Sequence, residues 1–122
     1  MSASSEYLRL RRLPDHQDEQ ARIEANMVPI ASIIDAASEV FGVGPRDMRS
    51  HYRAHHVAQA RHAVCKVANE IGWLVVDAAT ELGRDRRTAR DSRNRAAELE
   101  RTNPTFAARL AELRARTMEK AA

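Results

Sequence analysis

The stretch VVDAATELGRDRRTARDSRNRAAEL, residues 75–99, carries the pattern that decides the fold. Its first part places apolar residues on one side of a short helix, namely Val75, Val76, Ala79 and Leu82. Gly83 follows them, as is typical of a helix C-terminus. A second helical segment rich in arginine begins directly after this turn. Two helices joined by a tight glycine turn predict a helix-turn-helix motif.

The second half of this stretch is dense in positive charge. Residues 82–95 contain six arginines, opposed only by Asp85 and Asp91. Asp85 suits an N-cap, because a carboxylate accepts hydrogen bonds from the free backbone amides of a first helical turn. Arginine near a helix N-terminus opposes the helix macrodipole. Arg86 and Arg87 are therefore unfavourable on a merely solvated helix, and an anionic partner would offset that cost.

These arginines lie where a helix-turn-helix meets DNA. The N-terminal residues of its second helix face base edges in the major groove, and arginine there can bridge O6 and N7 of guanine. The residues predicted to read bases are Asp85, Arg86, Arg87, Thr88 and Arg90. The alternative is a solvated helix face with a few intrahelical ion pairs.

A second basic cluster, RSHYRAHHVAQARH, covers residues 49–62. It indicates a loop that flanks the second helix and binds the DNA backbone, where contacts set register and add salt-dependent affinity. The residues predicted to contact the backbone are Arg53, His56, Arg61, Arg84 and Arg93. The alternative is an ordinary polar loop.

The rest of the chain predicts an all-α fold, a compact bundle of about five to six helices. Glycine, proline and aromatic residues are sparse, and alanine, glutamate and arginine favour helix. The other helical segments are 29–42, a short one from 45, 57–72 and 104–120. We expect Trp73 to pack over a helix junction. Residues 26–122 form the predicted DNA-binding domain, and residues 1–25 a polar extension that is partly disordered or binds a partner.

Other chemistries lack the residues that they need. The single Cys65 permits no intramolecular disulfide. His51, His55 and His62 have helix-like spacings, but no cysteine or carboxylate nearby completes a metal site. Cys65 beside His62 lacks an orienting group for nucleophilic catalysis. Without a glycine-rich phosphate loop, we predict no nucleotide, cofactor, metal or catalytic residue.

The sequence also predicts a cytoplasmic, nucleoid-associated protein. No uninterrupted apolar run approaches the ~20 residues of a membrane span. The first fifteen residues lack the apolar segment of a signal peptide. We therefore expect no membrane partner.

From Ile33 onward the chain resembles the C-terminal DNA-binding domain of the bacterial replication initiator DnaA. The similar segments are IIDAASEVFGVGPRDMRS, HYRAHHVAQARHAVCKVANEIG, VVDAATELGRDRRTARDSRNRAAEL and NPTFAARLAELRARTM, in the family's order. The resemblance implies a helical bundle with a helix-turn-helix that binds a short duplex site, the DnaA box. We expect a small stand-alone regulator without that family's ATPase domain.

The resemblance also assigns roles to single positions. Where the family's signature reads Gly-Arg-Asp-His-Thr-Thr, Asp85 and Thr88 match its DNA-contacting types, while Arg86 and Arg87 replace His and the first Thr. In the family's basic loop, Ala-Arg-Pro-Arg, the first arginine enters the minor groove, and its place here is taken by Gln59. The matching positions imply the family's docking mode, whereas the departures at Arg86, Arg87 and Gln59 predict a different target sequence.

The function predicted from these features is sequence-specific binding of double-stranded DNA by a transcriptional regulator, specifically an activator. The extension would recruit RNA polymerase or a second regulator. One alternative is a replication modulator that competes with DnaA for its boxes. Another, from a different class, is a protein-interaction module whose arginines meet an acidic protein and which has no DNA role.

Overall fold

The computed structural model describes residues 27–121. This part of the chain consists of six α-helices joined by short loops, without a strand. The helices are α1 Ile30–Phe41, α2 Pro45–Met48, α3 His55–Ile71, α4 Val75–Leu82, α5 Arg86–Thr102 and α6 Pro104–Ala121. The predicted all-α bundle is therefore confirmed. The predictions for residues 1–25 fall outside the described residues.

Helix α3 is the centre of the bundle and contacts all five other described helices. It can do so because its buried residues are small, with valines and alanines on more than one side, so that neighbouring backbones approach closely. The fully buried ones are Val57, Ala60, Ala63, Val64 and Ala68. The helix begins at His55, two residues before the predicted start, with Ala54 in the N-cap position.

Helix α6 closes the bundle against α1. Its buried residues recur at helical spacing and are Phe106, Leu110, Leu113 and Thr117. The ring centroids of Phe106 and Phe41 are 6.0 Å apart, within the range of favourable aromatic pairs. The carboxamide of Asn103 accepts a hydrogen bond from the Phe106 amide at 3.0 Å, which starts α6 in the orientation that buries this ring.

An ion-pair cluster joins the far ends of three helices. The Arg114 guanidinium of α6 contacts Glu70 of α3 at 2.6 Å and Glu100 of α5 at 2.7 Å. Hydrogen bonds from Arg114 lower the pKa of both carboxyl groups. Acidic and basic side chains therefore balance one another at this end, which contrasts with the other end of α5.

The structure corrects one side chain of α4 and confirms the role of Trp73. Val76 was predicted to face inward, but it is 44% exposed. The buried positions of α4 are Ala78, Ala79 and Leu82, and at 100° per residue Val76 falls outside that stripe. Trp73 is half-buried and donates its indole N–H to the Val28 carbonyl at 2.8 Å. It thus packs over the junction of α3 and α4.

Gly83 has a backbone conformation that favours glycine, with φ 66° and ψ 34°. A Cβ atom there would also lie 3.3 Å from the Arg49 carbonyl oxygen. We expect Gly83→Ala to lower the free energy of unfolding by about 1–2 kcal/mol, since a left-handed alanine is strained. Thermal denaturation followed by circular dichroism measures this change.

Gly44→Ala is the matched control for this substitution. Gly44 has φ −64°, and a Cβ atom there meets nothing within 4 Å. Alanine fits that conformation and restricts the unfolded chain, so stability should hold or rise slightly. Equal losses for both variants would contradict the role assigned to Gly83.

Candidate nucleic-acid interface

Helices α4 and α5 form the helix-turn-helix, joined through Gly83, Arg84 and Asp85. Asp85 is the N-cap of α5, and its Oδ1 accepts a hydrogen bond from the Thr88 amide at 2.7 Å. This bond lowers the pKa of the Asp85 carboxyl below its ordinary value. The predicted cap is confirmed, and it fixes where α5 begins.

Helix α5 has two faces of different character. The face turned to the core carries small or apolar residues at helical spacing: Ala89, Ser92, Ala96 and Leu99. The predicted base-reading residues Arg86, Arg87, Thr88 and Arg90 are all exposed. Within residues 27–121, the side chains of Arg86, Arg87 and Arg90 form no ion pair and no hydrogen bond. Among the described residues, the first two turns of α5 therefore expose three arginine side chains that no ion pair offsets.

Further along α5 the arginines have partners. Arg95 forms an ion pair with Glu98 at 2.8 Å, and Arg101 donates to the carbonyl of Ala97. Arg93 is half-buried, and its Nε and Nη2 both donate hydrogen bonds to the carboxamide oxygen of Asn94. The dense arginine run thus divides into an open N-terminal part and a C-terminal part engaged within the helix.

The basic loop, defined here as residues 49–54, lies beside the start of α5. Its turn is held by the Ser50 hydroxyl, which accepts a hydrogen bond from the Tyr52 amide at 3.0 Å. Arg53 and, just beyond the loop, His56 are exposed, as a backbone-binding role requires. Gln59, at the position of the minor-groove arginine, is half-exposed and bonds to the His55 ring at 3.2 Å.

The structure corrects the assignment of Arg61 to a DNA phosphate. Its side chain is buried, with 8% exposure. Its Nε donates to the Met48 carbonyl at 2.8 Å, while Nη2 donates to the carbonyls of Asp47 at 2.9 Å and Ser50 at 2.8 Å. Burial lowers the pKa of Arg61, and the nearby Arg84 lowers it further. Arg61 is a structural residue because backbone oxygens accept hydrogen bonds from its Nε and Nη2.

Arg84 forms hydrogen bonds within the fold and is also partly accessible to solvent. Its Nη2 donates a hydrogen bond to the Ser50 carbonyl, and its Nη1 lies 3.0 Å from Nδ1 of the His51 ring. The side chain is nevertheless half-exposed and lines an open cleft of about 400 Å³ between the basic loop and α5. Other residues lining this cleft are Arg53, Arg61, Asp85, Thr88 and Ser92. The cleft therefore joins the two basic segments that the sequence singled out.

The residues weighed for metal or nucleophilic chemistry have other surroundings. His62 bonds through Nδ1 to the Ser92 hydroxyl at 3.0 Å. Burial, followed by the charges of Arg95 and Arg61, lowers its pKa to about 4, so this ring is neutral at pH 7. Burial raises the pKa of the Cys65 thiol to about 12. No group of three or more metal-ligating side chains occurs in the described range 27–121.

No protein-family model matches the chain, and no significant match is found among the curated proteins. The resemblance to the DnaA domain therefore stays a prediction based on the quoted segments. Among residues 27–121 no helix is long and apolar enough to span a membrane.

Proposed function

We propose that this protein binds double-stranded DNA sequence-specifically and regulates transcription. The observation that carries the proposal is the exposed trio Arg86, Arg87 and Arg90, which lacks side-chain partners within residues 27–121. Two of these charges, Arg86 and Arg87, lie in the first turn of a capped helix, where they oppose the helix dipole. DNA phosphates would neutralise these charges, and guanine O6 and N7 would accept hydrogen bonds from the guanidinium groups. A helix face that meets only water forms no such ion pairs.

The shape of the helix-turn-helix supports a major-groove role for α5. An α-helix with its side chains is about 10–12 Å across, and the major groove of B-DNA is about 12 Å wide. With the apolar side of α5 against α3 and α4, Arg86, Arg87 and Thr88 are left for the groove. Arginine favours guanine through O6 and N7, and the threonine hydroxyl can bond to several bases.

The basic loop supplies the second half of the proposed interface. Arg53 is exposed and lines the cleft on the side of the basic loop, and His56, three residues further along the chain, is also exposed. Both would contact the backbone flanking the groove. Arg84 would contribute its remaining exposed surface. Backbone contacts set the register of the recognition helix without reading sequence.

Salt dependence and a loop variant test the DNA-binding proposal. In fluorescence anisotropy with a duplex selected from a random pool, log K should fall linearly with log salt, with a slope of about −0.9 per phosphate contacted. Arg53→Ala should weaken binding to all duplexes alike. It should also lower the magnitude of the salt slope by about 0.9, the contribution of one phosphate contact. Arg101→Ala removes the same charge from the far end of α5 and serves as the control.

Absence of duplex binding at low salt would contradict the DNA-binding proposal and favour a module that meets an acidic protein. Genome-wide mapping of bound DNA tests the regulatory part. Sites beside promoters are expected for a transcriptional regulator, and altered transcription after deletion would distinguish activation from repression. Sites confined to clustered DnaA boxes at a replication origin would instead favour the replication modulator.

A further inference from the structure

Two arginines from different elements converge on one backbone carbonyl of the basic loop. Arg61 of α3 and Arg84 of the helix-turn-helix both donate to the carbonyl of Ser50. Arg61 also holds the carbonyls of Asp47 and Met48 at the end of α2. Gly83 lies so close to the loop that a Cβ atom would meet the Arg49 carbonyl oxygen. The loop and the turn are thus joined at neighbouring points.

We propose that Arg61 and Arg84 are positioning residues for DNA binding, which hold the basic loop and the recognition helix α5 in one fixed arrangement. This inference rests on the proposed function. Arg84 directly precedes Asp85, the N-cap of α5, so the bond to Ser50 ties the loop to the start of that helix. Arg53 follows Ser50 by three residues and is placed by the same tie.

The hydrogen bonds that Arg61 and Arg84 donate to backbone carbonyls of residues 47–50, called the tie below, require guanidinium groups. Two neighbouring positive charges repel each other, and burial of Arg61 adds a desolvation cost. Three backbone oxygens offset that cost, because the planar guanidinium directs its donors in a fixed fork. The single ammonium of lysine cannot direct donors in that fork. Lysine in place of Arg61 would retain the positive charge but should not hold the basic loop in place.

The functional consequence is a preformed binding surface. A loop that was free to move would lose conformational entropy on binding DNA, and a fixed loop avoids that loss. Arg53 can then reach the backbone while Arg86 and Arg87 lie in the groove. This arrangement predicts that Arg61 affects DNA affinity through Arg53, without touching DNA.

The first test measures the loop without DNA. In Arg61→Lys, trypsin cleavage after Arg49 and Arg53, followed by mass spectrometry well below the melting temperature, should be about tenfold faster than in the wild type, because local opening becomes easier. Arg46→Lys, an exposed position of α2, is the matched control and should match the wild type. Wild-type cleavage rates in Arg61→Lys would overturn the tie.

The second test is a double-mutant cycle on duplex affinity. Arg61→Lys should weaken binding about tenfold, and Arg53→Ala should cost much less in that background than in the wild type. Additive effects would show that Arg61 acts independently of Arg53 and would overturn the positioning role. If Arg61→Lys does not fold, Arg84→Lys breaks the other half of the tie and is judged by the same comparison. A wild type that binds no duplex refutes the functional half, while the cleavage rates still decide whether the tie holds the loop.

Discussion

Replacement of both Arg86 and Arg87 by alanine is expected to weaken binding to the preferred duplex by roughly 2–6 kcal/mol. Each arginine that bridges a guanine contributes ~1–3 kcal/mol of discrimination. Both side chains are exposed at the first turn of α5 and lack partners within residues 27–121. Their removal should therefore leave the fold intact and act on binding. Fluorescence anisotropy at fixed salt measures the loss, and circular dichroism checks the helical content.

The control for this loss is a variant with the same change of net charge. Arg95→Ala together with Arg101→Ala removes two arginines that are engaged within α5. This control should lose only part of the general electrostatic attraction. Equal losses in the two double variants would mean that position along α5 is irrelevant, which contradicts base reading by the first turn.

The same two positions separate the regulator from the replication modulator. Arg86→His with Arg87→Thr restores the residues of the DnaA signature that this chain resembles. If the arginines redirect the site, this variant should gain preference for a DnaA-box duplex over a scrambled one, whereas the wild type should show little. A wild type that already prefers the box would contradict the predicted change of target sequence.

Phe106→Ala is expected to lower the free energy of unfolding by about 3–5 kcal/mol, the cost typical of truncating a buried phenylalanine. Phe106 is 1% exposed and packs against Phe41, with ring centroids 6.0 Å apart. Its loss leaves a cavity between α1 and α6, where the backbone can collapse only in part. Urea denaturation measures the change, provided that the m-value, the slope of the unfolding free energy against urea concentration, is the same in both proteins.

Met118→Ala provides the comparison for this core variant. Met118 belongs to the same helix but is 67% exposed, so its truncation should change stability by less than about 0.5 kcal/mol. A similarly small effect of Phe106→Ala would show that α6 is not anchored through this ring. Together the two variants test whether the buried stripe of α6 stabilises the bundle.

Local signals in the sequence predicted the helices well. The apolar spacing of α1, α3 and α6, the glycines after α1, α3 and α4, and the Asp85 cap all act within a few residues. Such interactions can be read without knowing the fold. The error at Val76 arose where a short helix begins, because one turn of apolar residues does not define which side faces the core.

The candidate site was predictable only in part. The sequence alone indicated an exposed, capped and arginine-rich helix, because its apolar positions are few and regularly spaced. It could not separate Arg61 from Arg53, since both lie in one basic run and differ only in what surrounds them. The fold brings three backbone carbonyls around Arg61 and leaves Arg53 in solvent.

The sequence by itself therefore determined the helices, their order and the concentration of charge at the start of α5, because each depends on neighbours along the chain. Only the tertiary structure decided which basic side chains remain available. Burial and hydrogen bonding depend on residues that are distant in sequence, such as Ser50 and Arg84, or Glu70 and Arg114. Packing engages Arg61 within the fold and leaves Arg86, Arg87 and Arg90 on the surface.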